Sequence, residues 1–137
     1  MKTILMLEHD DDDRYIAQAV FDEHHYPIKL EFVSSSVDFF AYLRSCEKNR
    51  SKLPSLILLN YYAVPDNAID TLRKLKRDIT FGYIPTVVLS GTVDDSIVRE
   101  CYAEGASSVI QKPDSAGDTN EKIACFVKYW FSTVELV

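Results

Sequence analysis

The sequence predicts an α/β protein: a doubly wound, five-stranded parallel sheet with five helices on its two faces. Three observations lead there. Short apolar runs recur at Thr3–Leu7, Leu30–Val33, Leu56–Leu59, Thr86–Leu89 and, more weakly, Ser108–Gln111. Near-continuous apolar character over ~4–8 residues suits parallel strands buried on both faces. Each run is followed by a helical pattern, and the connections are short, so right-handed β–α–β crossovers close the elements into one layered sandwich.

The helices follow from spacing and caps. After the first strand, the acids of Asp10–Asp13 supply an N-cap and a first turn that complement the helix dipole, and Tyr15, Ile16, Ala19 and Val20 share a face. Ser36 is placed to cap a second helix carrying Val37, Phe40, Ala41 and Leu43, with Pro54 barring helix before the third strand. Ile69, Leu72, Leu75 and Ile79 repeat at helical spacing and stop near Gly82. Ile97, Val98 and Cys101 form a fourth stripe, which Gly105 ends as a left-handed residue. The last helix carries Ile123, Phe126, Val127, Trp130, Phe131 and Val134 on a broad face.

A chain of 137 residues fits one domain, 1–137, large enough to hold a core without staples. Its net charge of −6 disfavours nucleic acid and anionic membrane surfaces and is compatible with cations or basic partners. Cys46, Cys101 and Cys125 are scattered, odd in number and without metal spacing, so they read as buried or half-buried thiols of a reducing compartment. No apolar run reaches ~18 residues and no secretory leader is visible, which points to the cytoplasm.

In open α/β sheets, ligands bind beyond the carboxyl ends of the strands. Reading just past each strand yields Glu8, His9 and Asp10–Asp13 after the first, Asn60 then Tyr61 and Tyr62 after the third, Ser90 and Gly91 after the fourth, and Lys112 with Pro113 after the fifth. An acidic patch, a hydroxyl and a lysine would converge on the side chain that ends the third strand. Plainer readings stand beside this one. The Asp run can be solvated capping acids, Ser90 can bond its own backbone, and Asn60 can simply end a strand. His24 and His25 suit the negative end of the first helix better than a metal. Tyr61 and Tyr62 are read either as a cover over the pocket or as a partner contact.

Four blocks carry a family resemblance: Ile4-Leu5-Met6-Leu7-Glu8-His9-Asp10, Leu56-Ile57-Leu58-Leu59-Asn60, Pro85-Thr86-Val87-Val88-Leu89-Ser90-Gly91, and Gly105-Ala106 through Val109-Ile110-Gln111-Lys112-Pro113. Together, and across essentially the whole chain, they resemble the receiver domain of two-component response regulators. The resemblance implies a flavodoxin-like sheet of order 2-1-3-4-5 and a role in phosphorelay signal transduction. In that family an Asp ending the third strand accepts a phosphoryl group from a histidine kinase. Two acids after the first strand help hold Mg2+, and a Ser/Thr and a Lys contact the phosphoryl oxygens; these last two positions fall on Ser90 and Lys112.

The departures are chemical. The acceptor position holds Asn60, a neutral carboxamide without a carboxylate's nucleophilic oxygen. The acidic pair keeps Glu8, but its second member is His9, a poor ligand for Mg2+. Each lost anionic ligand at ~4 Å removes about 4 kcal/mol per unit of cation charge at an effective dielectric of 20. Mg2+ binding is therefore expected to be weakened, with Glu8 and Asp10 as its remaining ligands, and no other cofactor is indicated. Val109 stands where many relatives carry an aromatic switch residue.

The expectation is a pseudo-receiver that is not an enzyme, is not phosphorylated at Asn60 and acts through contacts with a histidine kinase or another signalling protein. The family resemblance also suggests a homodimer through the fourth and fifth helices. Two alternatives are kept: a receiver phosphorylated at another acid, Asp66 or one of Asp10–Asp13, and a small-ligand module of flavodoxin type. The second is opposed by five acids between Glu8 and Asp13, where a phosphate-binding loop would need glycine and hydroxyl groups.

Overall fold

The computed structural model describes residues 1–62, 67–113 and 116–137. Five parallel strands, β1 (Lys2–Leu7), β2 (Ile28–Val33), β3 (Leu56–Asn60), β4 (Thr86–Ser90) and β5 (Ser108–Gln111), form one sheet in the order β2-β1-β3-β4-β5. Helices α1 (Asp11–Glu23), α2 (Ser36–Ser45), α3 (Ala68–Arg77), α4 (Asp95–Ala103) and α5 (Ala116–Lys128) alternate with them. The predicted fold class, strand order and helix number are those observed.

The two-residue period of the strands divides the apolar runs between two cores. Leu5, Leu7, Ile57, Leu59 and Val88 point to the side of α2, α3 and α4, where they meet Phe39, Leu43, Leu72 and Cys101. Their neighbours Ile4, Met6, Leu56, Leu58 and Val87 point the other way, towards Phe21 of α1 and Val127 of α5. Residues of this kind bury ~1.5–3 kcal/mol of apolar transfer free energy each. Register pins the strand ends: Leu7 lies beside Leu59, Asn60 beside Leu89, and Ser90 beside Gln111.

The helix faces differ in places from the predicted ones. In α1, Tyr15 (75% exposed), Ile16 and Ala19 face outward; Ala17, Val20 and Phe21 turn inward instead. The rotation follows from the cap, because Asp10 accepts from the Asp13 N–H and fixes where the first turn starts. In α2 the cap is Ser35 rather than Ser36, and the inward face is Ser36, Phe39, Phe40 and Leu43, leaving Val37 and Ala41 exposed. Helix α3 ends at Arg77, short of Gly82, because the Asp78 carboxylate accepts from the N–H groups of Thr80 and Phe81 and turns the chain; Ile79 is fully exposed. Gly82 lies within that turn, where an added Cβ would come 2.6 Å from the Asp78 carbonyl oxygen. Gly105 does end α4 with φ +102°.

Cys46 and Cys101 are buried, but Cys125 is exposed, since it lies on the outer side of α5. The aromatic stripe beyond α5 continues through a π-helical turn, Tyr129–Thr133, and Trp130 and Phe131 pack half-buried against the α1–α5 core.

Candidate functional site

Four strand ends bring Glu8, Asn60, Ser90 and Lys112 to one end of the sheet. Glu8 directly follows β1, where its N–H donates to the Val33 carbonyl, and its side chain is fully buried. Lys112 follows β5 and is tied by its own N–H to the Ser90 carbonyl. These backbone bonds fix both side chains at their roots before any side-chain interaction forms.

Every oxygen of the Glu8 carboxylate is engaged. Oε1 accepts from Lys112 Nζ at 2.8 Å, and Oε2 accepts from Asn60 Nδ2 at 2.6 Å and, more loosely, from the Asp10 N–H at 3.4 Å. Lys112 Nζ reaches a second carboxylate, Asp13 Oδ2 on α1, at 2.9 Å. The other face of Asn60 is closed as well, since its Oδ1 accepts from the Tyr62 N–H at 3.3 Å. A buried, neutral amide thus bridges β1 and the loop after β3, while one ammonium sits between two carboxylates. Such charge-assisted bonds in a low-dielectric setting are strong, and they leave no unpaired charge in the buried part of the cluster.

The remaining predicted residues separate. Ser90 is buried and donates to the Thr92 carbonyl at 2.6 Å, its own loop. Asp10 caps α1, and His9 is 44% exposed, with Nδ1 3.8 Å from Glu8 Oε2, too far for a hydrogen bond. Tyr61 packs half-buried on the α2–α4 core and Tyr62 is exposed. Val109 is half-buried against that same core. Asp11 and Asp12 are exposed on the first turn of α1, and Asp66 lies outside the described residues. His24 caps α1, stacks on Tyr26 and lies 3.5 Å from Asn120.

One site residue escapes sequence reasoning, and another is singled out from a run. Of the acids Asp10–Asp13, Asp13 belongs to the cluster instead of being only a solvated capping acid, a placement set by the rotation of α1. Arg14 donates from Nε to the Glu8 carbonyl at 2.6 Å and from Nη2 to Ser34 Oγ, with its guanidinium over the Phe32 ring. It braces the β1 end against β2, and a basic residue four places after a capping Asp was the available signal.

The donor set does not fit Mg2+, which needs about six oxygens in a tight octahedron. The Glu8 oxygens already accept hydrogen bonds from an ammonium and an amide, Asp10 is committed to its cap, and no cluster of three or more metal-type ligands occurs among the described residues. Lys112 Nζ occupies the position against Glu8 that a cation would need.

Burial lowers the Lys112 pKa, but hydrogen bonds and attraction from Glu8 and Asp13 outweigh it and leave it above the ordinary lysine value. Tyr42, which donates to the Lys52 carbonyl, is pushed up to about 12 by burial and by neighbouring Cys46 and Glu31. Both groups hold their protons more tightly in the folded chain than in the unfolded one. The contribution of these two groups is therefore complete below about pH 10 and is lost as the pH rises through the folded values. Urea unfolding at about pH 8 and about pH 11 should show the loss, and Tyr42→Phe should reduce it while leaving the part that Lys112 carries.

No protein-family model matches the chain. A curated relative, the probable methanogenesis regulatory protein FilR2 of Methanothrix harundinacea (strain 6Ac), is 24% identical over 127 residues, covering 93% of this chain and 82% of that protein. The response regulator RPA3017 in red light signalling of R. palustris superposes with a TM-score of 0.91 at 24% identity, covering 100% of this chain and 99% of that one. The phosphorylated cyanobacterial phytochrome response regulator RcpA gives 0.88 at 25% identity, covering 98% and 97%.

Proposed function

We propose that this chain, which has the receiver fold of response regulators along its whole length, is a signalling module of two-component type that works without phosphorylation at Asn60. One observation carries the reading: the Asn60 amide donates to Glu8 while Lys112 holds the other Glu8 oxygen. A phosphoryl acceptor must present an electron-rich oxygen and the transfer needs a cation to balance the incoming charge. Here the acceptor position carries an N–H donor towards Glu8, and an internal ammonium fills the cation's place. The cluster holds one standing conformation, and signalling would run through protein contacts, with a histidine kinase or another signalling protein as partner.

Exposed Tyr102 on α4 and Tyr129 beyond α5 supply aromatic contact area on the side where family resemblance places a homodimer. A surface of this kind fits a protein partner better than nucleic acid, given the net charge of −6. Among the described residues no helix is long and apolar enough to cross a membrane. The proteins it superposes on are described as response regulators, RPA3017 in red light signalling and RcpA of a cyanobacterial phytochrome, and that likeness supports a role in signal transduction.

The test is an intact-mass spectrum after incubation with acetyl phosphate and Mg2+, with an active receiver treated in parallel. The wild-type chain is expected to gain no phosphoryl group. A gain located by fragmentation to an acid such as Asp13 or Asp66 would overturn the reading in favour of a displaced acceptor.

A further inference from the structure

Beside the charged cluster, between α1, α5 and the sheet, lies a crevice of about 200 Å³. Its walls are mostly carbon: Met6, Leu58 and Ile110 on the sheet, Ala17 on α1, and Ile123 and Phe126 on α5. The space has a local cause. Ala17 of α1, which lines the crevice with Ile123 and Phe126 of α5, has a single methyl where a larger side chain would close the gap. Only Val20 and Phe21 of α1 are buried. The crevice opens to solvent on one side, and a small apolar molecule seated in it would cover its carbon walls. Sealed apolar cavities of about 150 Å³ take up benzene, a guide to the size of occupant.

The mouth decides the chemistry of that occupant. Glu8 and Asp13 contribute two negative charges there, Lys112 and Lys122 two positive ones, and the sum is zero. The charges are also already used: Lys112 by the two carboxylates, and Lys122 by the Gln111 carbonyl at 2.8 Å. An ionic headgroup would have to break one of these pairs, whereas an uncharged ring meets mostly hydrocarbon and leaves the pairs intact.

We propose that the crevice between α1 and α5 is a binding site for an uncharged small molecule of about one aromatic ring. The walls do not include Asn60, which touches the crevice only through its hydrogen bond to Glu8. Its occupant would lie against Glu8, Asp13 and Lys112, the residues that lock the end of the sheet.

The experiment uses the full chain with 13C-labelled isoleucine methyls, titrated with toluene and, separately, with benzoate. Toluene should give saturable shifts at Ile16, Ile110 and Ile123, which border the crevice, and leave Ile57, Ile69 and Ile84 of the opposite core unmoved. Benzoate, the same ring with a charge, should bind at least about tenfold more weakly, a difference of about 1.4 kcal/mol. Ala17→Leu and, independently, Ile123→Phe should each fill the space and abolish the toluene shifts, while the isoleucines of the opposite core report that the variant is folded. Non-saturable or delocalised shifts in the wild-type chain would overturn the proposal. So would benzoate binding as well as toluene, or folded filling variants that still bind.

Discussion

Lys112→Met should lose about 3 kcal/mol of unfolding free energy, the lower end of the range for breaking a buried ion pair. Lys112 keeps a quarter of its side chain exposed, which moderates the loss, but the Glu8 side chain is wholly buried. Without the ammonium, the Glu8 carboxylate retains only the Asn60 amide and a long bond from the Asp10 N–H, too little to replace the hydration it gave up. Asp13, 43% exposed, can turn to solvent, so most of the penalty should come from Glu8. The double variant Glu8→Gln/Lys112→Met separates the two sources. With both charges gone, stability should return to within about 1 kcal/mol of wild type, since uncharged groups of similar volume often replace a buried pair at little cost. Urea unfolding midpoints of wild type, Glu8→Gln, Lys112→Met and the double variant at constant m-value test this. A single variant as stable as wild type would mean that Lys112 and Glu8 are not an energetic pair.

How much of this was legible in the sequence depends on which degree of freedom each feature uses. Strands buried on both faces need only be apolar, so Leu56–Leu59 and Thr86–Leu89 declared themselves, and their ends placed Glu8, Asn60, Ser90 and Lys112 together. Helix faces use a rotation of 100° per residue, so one residue of error in a cap redirects the stripe. That error put Val37 inside α2, where Phe39 belongs, and read Tyr15 and Ile16 as inward on α1. The same rotation carries Asp13 to Lys112, which is why a residue in a plain acidic run turned out to belong to the cluster. The crevice was not legible at all. It depends on the spacing between α1 and α5, a packing quantity that no periodicity encodes. Ile79 shows a further limit: it continues the α3 pattern, but Asp78 turns the chain first.

Asn60→Asp should convert a closed cluster into one that demands a cation. The substitution replaces the amide that donates to Glu8 at 2.6 Å with a second carboxylate in a pocket where both residues are almost wholly buried. Two carboxylates at that distance cannot both stay charged unpaired: one takes a proton, or a cation enters between them. Lys112 can bridge them only by relaxing its hold on Asp13. The variant should therefore be less stable than wild type near neutral pH, by about 2–3 kcal/mol for a lost buried hydrogen bond plus like-charge repulsion. Millimolar Mg2+ should restore much of that loss through binding to the folded state alone. Wild type should show no such response, because its Glu8 oxygens are already taken by Lys112 and Asn60. Thermal unfolding of both proteins with and without Mg2+ measures the difference directly. Equal Mg2+ responses would mean that the wild-type cluster opens readily to a cation, and the reading of Lys112 as its permanent replacement would fail. A response confined to Asn60→Asp would mean that one amide and one ammonium together keep this receiver fold out of metal-dependent chemistry.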